Sequence, residues 1–163
     1  MILGMTTFTA VHVLLSLIGI LSELVVLFGL LTANPMNGWT LLFLATTLAT
    51  SVTGFFFSFH GFTPALGVGI LSMFILAATI VARYGFHLAG AWRWVYIVGA
   101  VAALYFNSFV LVVQSFLKIP VQRTLAPTGS EPAFAVAQGI VLMFHHVTGF
   151  LAVKGFRPAA HRV

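Results

Sequence analysis

Glu23 is the residue whose chemistry most needs an explanation. It stands in the run Leu21-Ser22-Glu23-Leu24-Val25, with apolar sequence on both sides. An ionised carboxylate inside a bilayer costs about 3 kcal/mol or more. It must therefore be protonated, partnered or reached by water. Depth arithmetic selects partners. Glu23 lies roughly 21 Å from an outer helix end at Thr9, at 1.5 Å per residue. His145 and His146 lie roughly 18–20 Å down a helix entering from the same side at Ala133. Adjacent helical residues diverge by about 100°, so only one of the two imidazoles can face Glu23. Thr46, Thr50 and Thr53 share one face of another helix at that depth, and Thr47, Ser51 and Gly54 share the adjacent face. One reading is an intramembrane site for a metal ion or a proton, built from Glu23, His145 or His146 and these hydroxyls. The other is a structural Glu–His hydrogen bond, with the threonines bonded back to their own helix carbonyls.

A second polar set gathers toward the outer face. His12 opens the first apolar stretch, Gln138 opens the last, Gln114 ends the fourth, and Asn107 lies deeper in it. His60 stands in a phenylalanine-rich turn with Phe55, Phe56, Phe57, Phe59 and Phe62. Two imidazoles on different elements at one face are the ligand type for haem b or a metal ion. His12, His60 and Gln138 are thus the candidate cofactor-binding residues. The competing reading is interfacial histidine bonded to headgroups or loops. His87, Arg83, Arg93 and Trp92 suit contact with anionic headgroups, and His161 falls in a basic tail.

The elements that must position these groups are apolar stretches of spanning length. A span needs about 20 mostly apolar residues. The sequence predicts an all-α, five-span bundle, one transmembrane domain over residues 1–163, with spans near 9–31, 39–57, 65–84, 93–117 and 133–153. The turn cluster Asn34-Pro35-Met36-Asn37-Gly38 separates the first two. The longest loop is Lys118 to Pro132. With this parity one side collects Arg83, Arg93, Lys154, Arg157 and Arg162, and the other Lys118 and Arg123 with Glu131. The positive-inside rule then places the N-terminus out and the C-terminus in. Trp39, Trp92, Trp94, Tyr84 and Tyr96 fall on the inner side and read as an interfacial belt. Gly99 with Ala103, and Ala78 with Ala82, are small-residue pairs that suit helix seams. No internal repeat of the kind that builds inverted-repeat transporters is evident.

Composition narrows the function classes. The chain is 61% hydrophobic and 6% charged, against about 25% charged in soluble domains. It has no cysteine, which excludes disulfides, iron–sulfur clusters and thiolate zinc. Its formal charge of +5 comes from seven Lys and Arg scattered at helix ends, so no nucleic-acid partner is expected. Only two acidic residues exist, Glu23 and Glu131, at very different depths. Paired-carboxylate catalysis is implausible and a carboxylate-rich di-iron site is excluded on that ground. No phosphate-loop or nucleophile-elbow motif occurs in a usable context, and no catalytic residue is assigned. The first apolar run is too long for a signal h-region and lacks a basic n-region, so it is expected to remain as a span.

The runs Gly38-Trp39-Thr40 through Thr53-Gly54-Phe55, Ala82-Arg83-Tyr84, Gly90-Ala91-Trp92-Arg93-Trp94, Phe106-Asn107 to Pro120, and Leu125-Ala126-Pro127-Thr128 with Ser130-Glu131-Pro132 carry a likeness. The chain resembles a group of small multi-pass bacterial membrane proteins of unassigned function. The resemblance implies a bacterial inner-membrane location and transfers no site residue. Glu23 and His145-His146 depart from that group's usual apolar residues. A fainter likeness is to haem-carrying multi-helix membrane cytochromes, through histidines in the first span and near later span ends.

Two functional expectations follow. The first is a small integral membrane protein binding a metal, haem or a proton through intramembrane His and Glu23. The second is a non-catalytic accessory or scaffold subunit, a homo-oligomer or part of a larger membrane complex, with the lipid bilayer as its solvent.

Overall fold

The structure is a computed structural model and describes residues 6–57 and 64–157. Every described element is helical: α1 (Thr7–Leu31), α2 (Asn37–Gly54), α3 (Pro64–Ile80) continued by a π-helical turn (Val81–Gly85), α4 (Trp92–Lys118), α5 (Pro120–Leu125) and α6 (Pro132–Gly155).

Local chemistry sets the ends. The Thr6 hydroxyl accepts from the Thr9 amide at 3.2 Å and caps α1, filling one of the amides a helix start leaves bare. Proline at the first turn opens α5 and α6, where its missing N–H costs nothing. Between α1 and α2 the chain reverses through two left-handed residues, Ala33 at φ 57° and Met36 at φ 43°. The Lys118–Pro132 segment, expected as a loop, contains the short helix α5.

Four helices are long and apolar enough to cross a membrane: Thr7–Leu31, Leu66–Gly85, Trp92–Lys118 and Pro132–Gly155. The helix missing from this set is α2. It has 18 residues, and its hydroxyl side chains Thr40, Thr46, Thr47, Thr50, Ser51 and Thr53 dilute its apolar character. Those hydroxyls turn inward, because α2 packs along α1 and α3.

Long helices consecutive in the chain run antiparallel, and side-chain contacts give their register. On α1 and α2, His12 meets Thr53, and Gly19 faces Thr46 and Thr47. A Cβ on Gly99 of α4 would collide with Thr79 of α3. Val101 of α4 lies against Gly149 of α6. Gly99 and Ala103 thus do line a seam, with Ala103 1% exposed. Of the pair Ala78 and Ala82, only Ala82 is buried. The apolar core is Phe43, Leu44, Leu76, Tyr96, Ile97, Ala100, Ala152 and Phe156 with their neighbours.

The outward faces are apolar as well. Leu14, Leu21, Phe28, Leu41, Phe74, Val98, Ile140 and Met143 are all exposed. In water such a surface would drive aggregation; in lipid it is well solvated. The four long apolar helices and this surface fit an integral membrane protein.

Candidate functional site

The polar residues of α1, α2 and α4 converge on Glu23. This residue is 2% exposed. Its Oε2 accepts a hydrogen bond from Asn107 Nδ2 at 3.0 Å, and the same amide reaches Thr47 Oγ1 at 3.3 Å. Its Oε1 is buried without a partner. Below it runs a narrow crevice lined by Val26, Leu27, Leu30, Ala100, Val101 and Leu104, with no room for a water molecule. Glu23 therefore occupies a dry layer with one neutral donor, and no ion pair reaches it among the described residues.

The layer exists because small residues let the helices close. Ser22 donates to the carbonyls of Ile18 and Gly19 of its own helix. Thr46 likewise donates to Leu42 and Phe43, and Thr53 to Ala49 and Thr50. The back-bonding expected of these threonines is thus present. Two groups escape it. Thr47 takes the Asn107 amide, and the buried Thr50 Oγ1 has no partner.

His145 and His146 part company, as adjacent helical residues must. His145 is 4% exposed. Its Nδ1–H donates to the Val141 carbonyl at 2.7 Å, which leaves Nε2 as a bare, buried acceptor. Its ring meets Tyr105 edge-on at 5.8 Å. His146 lies on the exposed face of α6. Tyr105 and Asn107 of α4 mark the heights of His145 and Glu23, so the two groups are level to within about one helical turn. They leave α4 in directions about 200° apart. The donor to Glu23 is Asn107, not a histidine. No group of three or more His, Asp or Glu side chains comes within reach of one metal ion among the described residues.

The outer polar set is dispersed. The Thr53 hydroxyl gives its hydrogen to Ala49, so its oxygen accepts from His12 Nδ1–H at 2.8 Å. Phe57 stands edge-on to the His12 ring at 5.0 Å. Gln138 Nε2 donates to the Phe109 carbonyl at 3.2 Å, and its Oε1 is bare. His12 and Gln138 thus have different partners on different helix pairs. His60, Phe59 and Phe62 lie outside the described residues, as do His161 and Arg162.

A second cluster, not expected from the sequence, closes the opposite end. Arg83, 8% exposed, lies in the π-helical turn. Its Nη2 donates to the Pro35 carbonyl at 3.1 Å and to Asn37 Oδ1 at 2.6 Å. Its guanidinium stands 4.9 Å from the Tyr96 ring centre and 5.8 Å from that of Tyr84. Thr40 donates to Pro35 at 3.1 Å and accepts from the Tyr96 hydroxyl at 3.4 Å. Tyr96 is fully buried, so it is no interfacial anchor: it supports Arg83. Trp39, Trp94 and Tyr84 are exposed as belt residues should be, while Trp92 stacks on Phe86 at 3.9 Å. Arg93 donates to the Val153 and Phe156 carbonyls, closing the C-terminal end of α6. Arg83 and Arg93, assigned above to headgroups, thus donate to the protein itself, with Arg83 Nη1 left without a partner among the described residues.

Glu131, by contrast, stands half-buried at the N-cap of α6. Desolvation works to raise its pKa, but hydrogen bonds from the Thr128 amide and hydroxyl, its own amide and the Ser130 amide outweigh it and hold the carboxyl below its usual range.

Asn107 and Tyr96 are the residues sequence reasoning misassigned. The signal for Asn107 was register. Seven residues from Glu23 to Leu30 match seven from Asn107 to Ala100 along one crevice, which carries the start of α4 past the end of α1. Depth counted from helix ends hides that offset. With this geometry in view, no known family model, no curated protein and no solved structure matches the chain.

Proposed function

We propose that the chain is a five-span inner-membrane protein whose dry polar layer holds one exchangeable proton on Glu23. The observation that carries this reading is the bare Oε1 of a fully buried carboxyl whose other oxygen has only a neutral amide donor. A bare carboxylate there would be costly; a proton on Oε1 discharges it and leaves Oε2 free to accept from Asn107. A metal or haem site at Glu23, His145 and His146, or at His12, His60 and Gln138, has weaker support, since His146 faces outward and His12 and Gln138 are engaged separately. The fifth span is α2: its 18 residues reach about 27 Å, close to the hydrocarbon thickness. Arg83, Arg93 and Lys154 at one end support a cytoplasmic assignment for that end. The bacterial inner membrane rests on the residue runs quoted for the resemblance.

The test is infrared difference spectroscopy across a pH step on protein in mild detergent. Because the chain has two acids, the carbonyl band of a protonated carboxyl is assignable with Glu23→Gln and Glu131→Gln. Its absence at neutral pH, or its survival in Glu23→Gln, sinks the proposal.

A second reading is favoured by α6. It is the least buried of the four long helices, with 17% of its apolar window inside the bundle. His146 stands on its exposed face with no hydrogen bond among the described residues. An imidazole facing lipid asks for a partner. A neutral imidazole carries one donor and one acceptor, so the same residue of a second copy near a two-fold axis can share one N–H···N bond with it. This is a subunit that associates through α6.

A further inference from the structure

An open cleft of about 430 Å³ lies where α4 turns into α5, lined by Leu117, Lys118, Pro120, Arg123, Thr124 and Pro127. Residue spacing builds its α5 wall. Pro120, Arg123, Thr124 and Pro127 follow the i, i+3, i+4, i+7 pattern and share one side of the turn. The fold holds this wall in place. Ala126 is 4% exposed and Gln122 is half-buried, and the Arg123 amide donates to the Ile119 carbonyl at 2.9 Å.

Both cations of this end line the cleft, and no acid balances them. No hydrogen bond or ion pair engages the Lys118 or Arg123 side chain among the described residues. Glu23 is bound to Asn107 inside the bundle, and Glu131 accepts from Thr128 and Ser130. The carbonyl end of α4 offsets roughly half a charge beside Lys118, which leaves about one and a half positive charges. Thr124 spends its hydroxyl hydrogen on the Val121 carbonyl at 2.7 Å, so the two cations are the charged donors of the cleft. A guanidinium fork beside an ammonium is a donor pair that suits phosphate oxygens.

The surroundings of the cleft are apolar and sit at a membrane boundary. Lys118 is the last residue of a helix long and apolar enough to span. Val121 and Leu125, one turn apart on another side of α5, are 72% and 58% exposed. A short segment with such an apolar edge and a basic side lies in the plane of the interface. A ligand seated between Lys118 and Arg123 therefore has acyl chains within reach on one side and water on the other.

We propose that this cleft binds the phosphate of a lipid phosphomonoester, with its acyl chains passing Val121 and Leu125 into the bilayer. A phosphomonoester carries about −1.5 to −2 charge at neutral pH, which matches the charge left uncompensated. A diester headgroup carries a single negative charge, and a zwitterionic headgroup carries none net.

The test is thermal unfolding of the full chain in mild detergent at fixed ionic strength. Short-chain phosphatidic acid, phosphatidylglycerol, phosphatidylcholine and inorganic phosphate are added separately at equal concentration. Phosphatidic acid is expected to raise Tm by several degrees and to saturate. Phosphatidylglycerol should raise it less, and phosphatidylcholine and inorganic phosphate should not raise it. Lys118 and Arg123 are exposed, so Lys118→Gln and Arg123→Gln should leave the basal Tm unchanged. Each is expected to weaken the phosphatidic acid response and the double variant to abolish it, while Lys154→Gln at the opposite end keeps it. No rise with phosphatidic acid, an equal rise with any of the other three additives, or a full response in the double variant overturns the proposal.

Discussion

Asn107 on α4 donates to Oε2 of Glu23 on α1 at 3.0 Å, and the same nitrogen touches Thr47 on α2. One amide thus ties three helices around one buried acid. Its removal separates the structural from the proton-binding contribution. Asn107→Ala leaves both carboxyl oxygens bare and is expected to cost about 1–3 kcal/mol. Glu23→Gln keeps an oxygen for Asn107 and is expected to be near neutral in stability while losing the infrared carboxyl signal. Thermal unfolding in detergent, run beside the pH-difference spectrum, checks both. Equal loss of stability in the two variants would contradict the assignment.

The α3–α4 seam is set by Gly99. A Cβ there would overlap the Thr79 side chain, whose hydroxyl is fixed to the Ile75 carbonyl at 2.7 Å. Gly99→Ala is expected to destabilise by about 1–3 kcal/mol through overpacking, and Gly99→Ala with Thr79→Ala to recover most of it. A Tm series on the two single variants and the double variant measures the coupling. Gly139 of α6 meets nothing within 4 Å at the same substitution, so Gly139→Ala in the monomer should leave Tm unchanged or raise it.

The loop before α6 has a pH dependence of definite sign. Glu131 has a lowered pKa in the folded chain, so its contribution is present above the ordinary glutamate range. It is lost as pH falls through the lower folded value. Hydrogen exchange at the Thr128 and Ser130 amides, which donate to its oxygens at 3.0 Å each, should quicken relative to the amides of α6 as that value is crossed. Glu131→Gln should abolish the step, because its amide does not titrate in this range.

Association through α6 is testable because the chain has no cysteine. A single His146→Cys is expected to form a disulfide-linked dimer in native membranes under mild oxidation. Thr148→Cys, whose side chain is bonded back to Phe144 at 2.8 Å on a less exposed face, should not. Equal cross-linking at both positions, or none at 146, removes the two-fold contact.

The sequence by itself determined the element type and an apolar character that suits lipid. Long apolar runs punctuated by proline and glycine dictate helices in lipid, and the ends of α1, α4 and α6 lie within two residues of where those runs end. It also singled out Glu23, since a lone acid in such a run is costly whatever surrounds it. What it did not determine is which side chains meet. Contacts between helices depend on rotation and axial offset, and a helix can shift by a turn with little change in its own composition. His145 and His146 are equivalent in sequence but differ in space, one buried and one exposed. Asn107 was legible as a polar residue but not as the partner of Glu23, because α4 begins beyond the end of α1. Tyr96 resembled Tyr84 and Trp94 as an anchor until packing enclosed it against Arg83. Hydropathy is a property of each helix alone, whereas a site is a property of their relative placement, and only the tertiary structure supplies that.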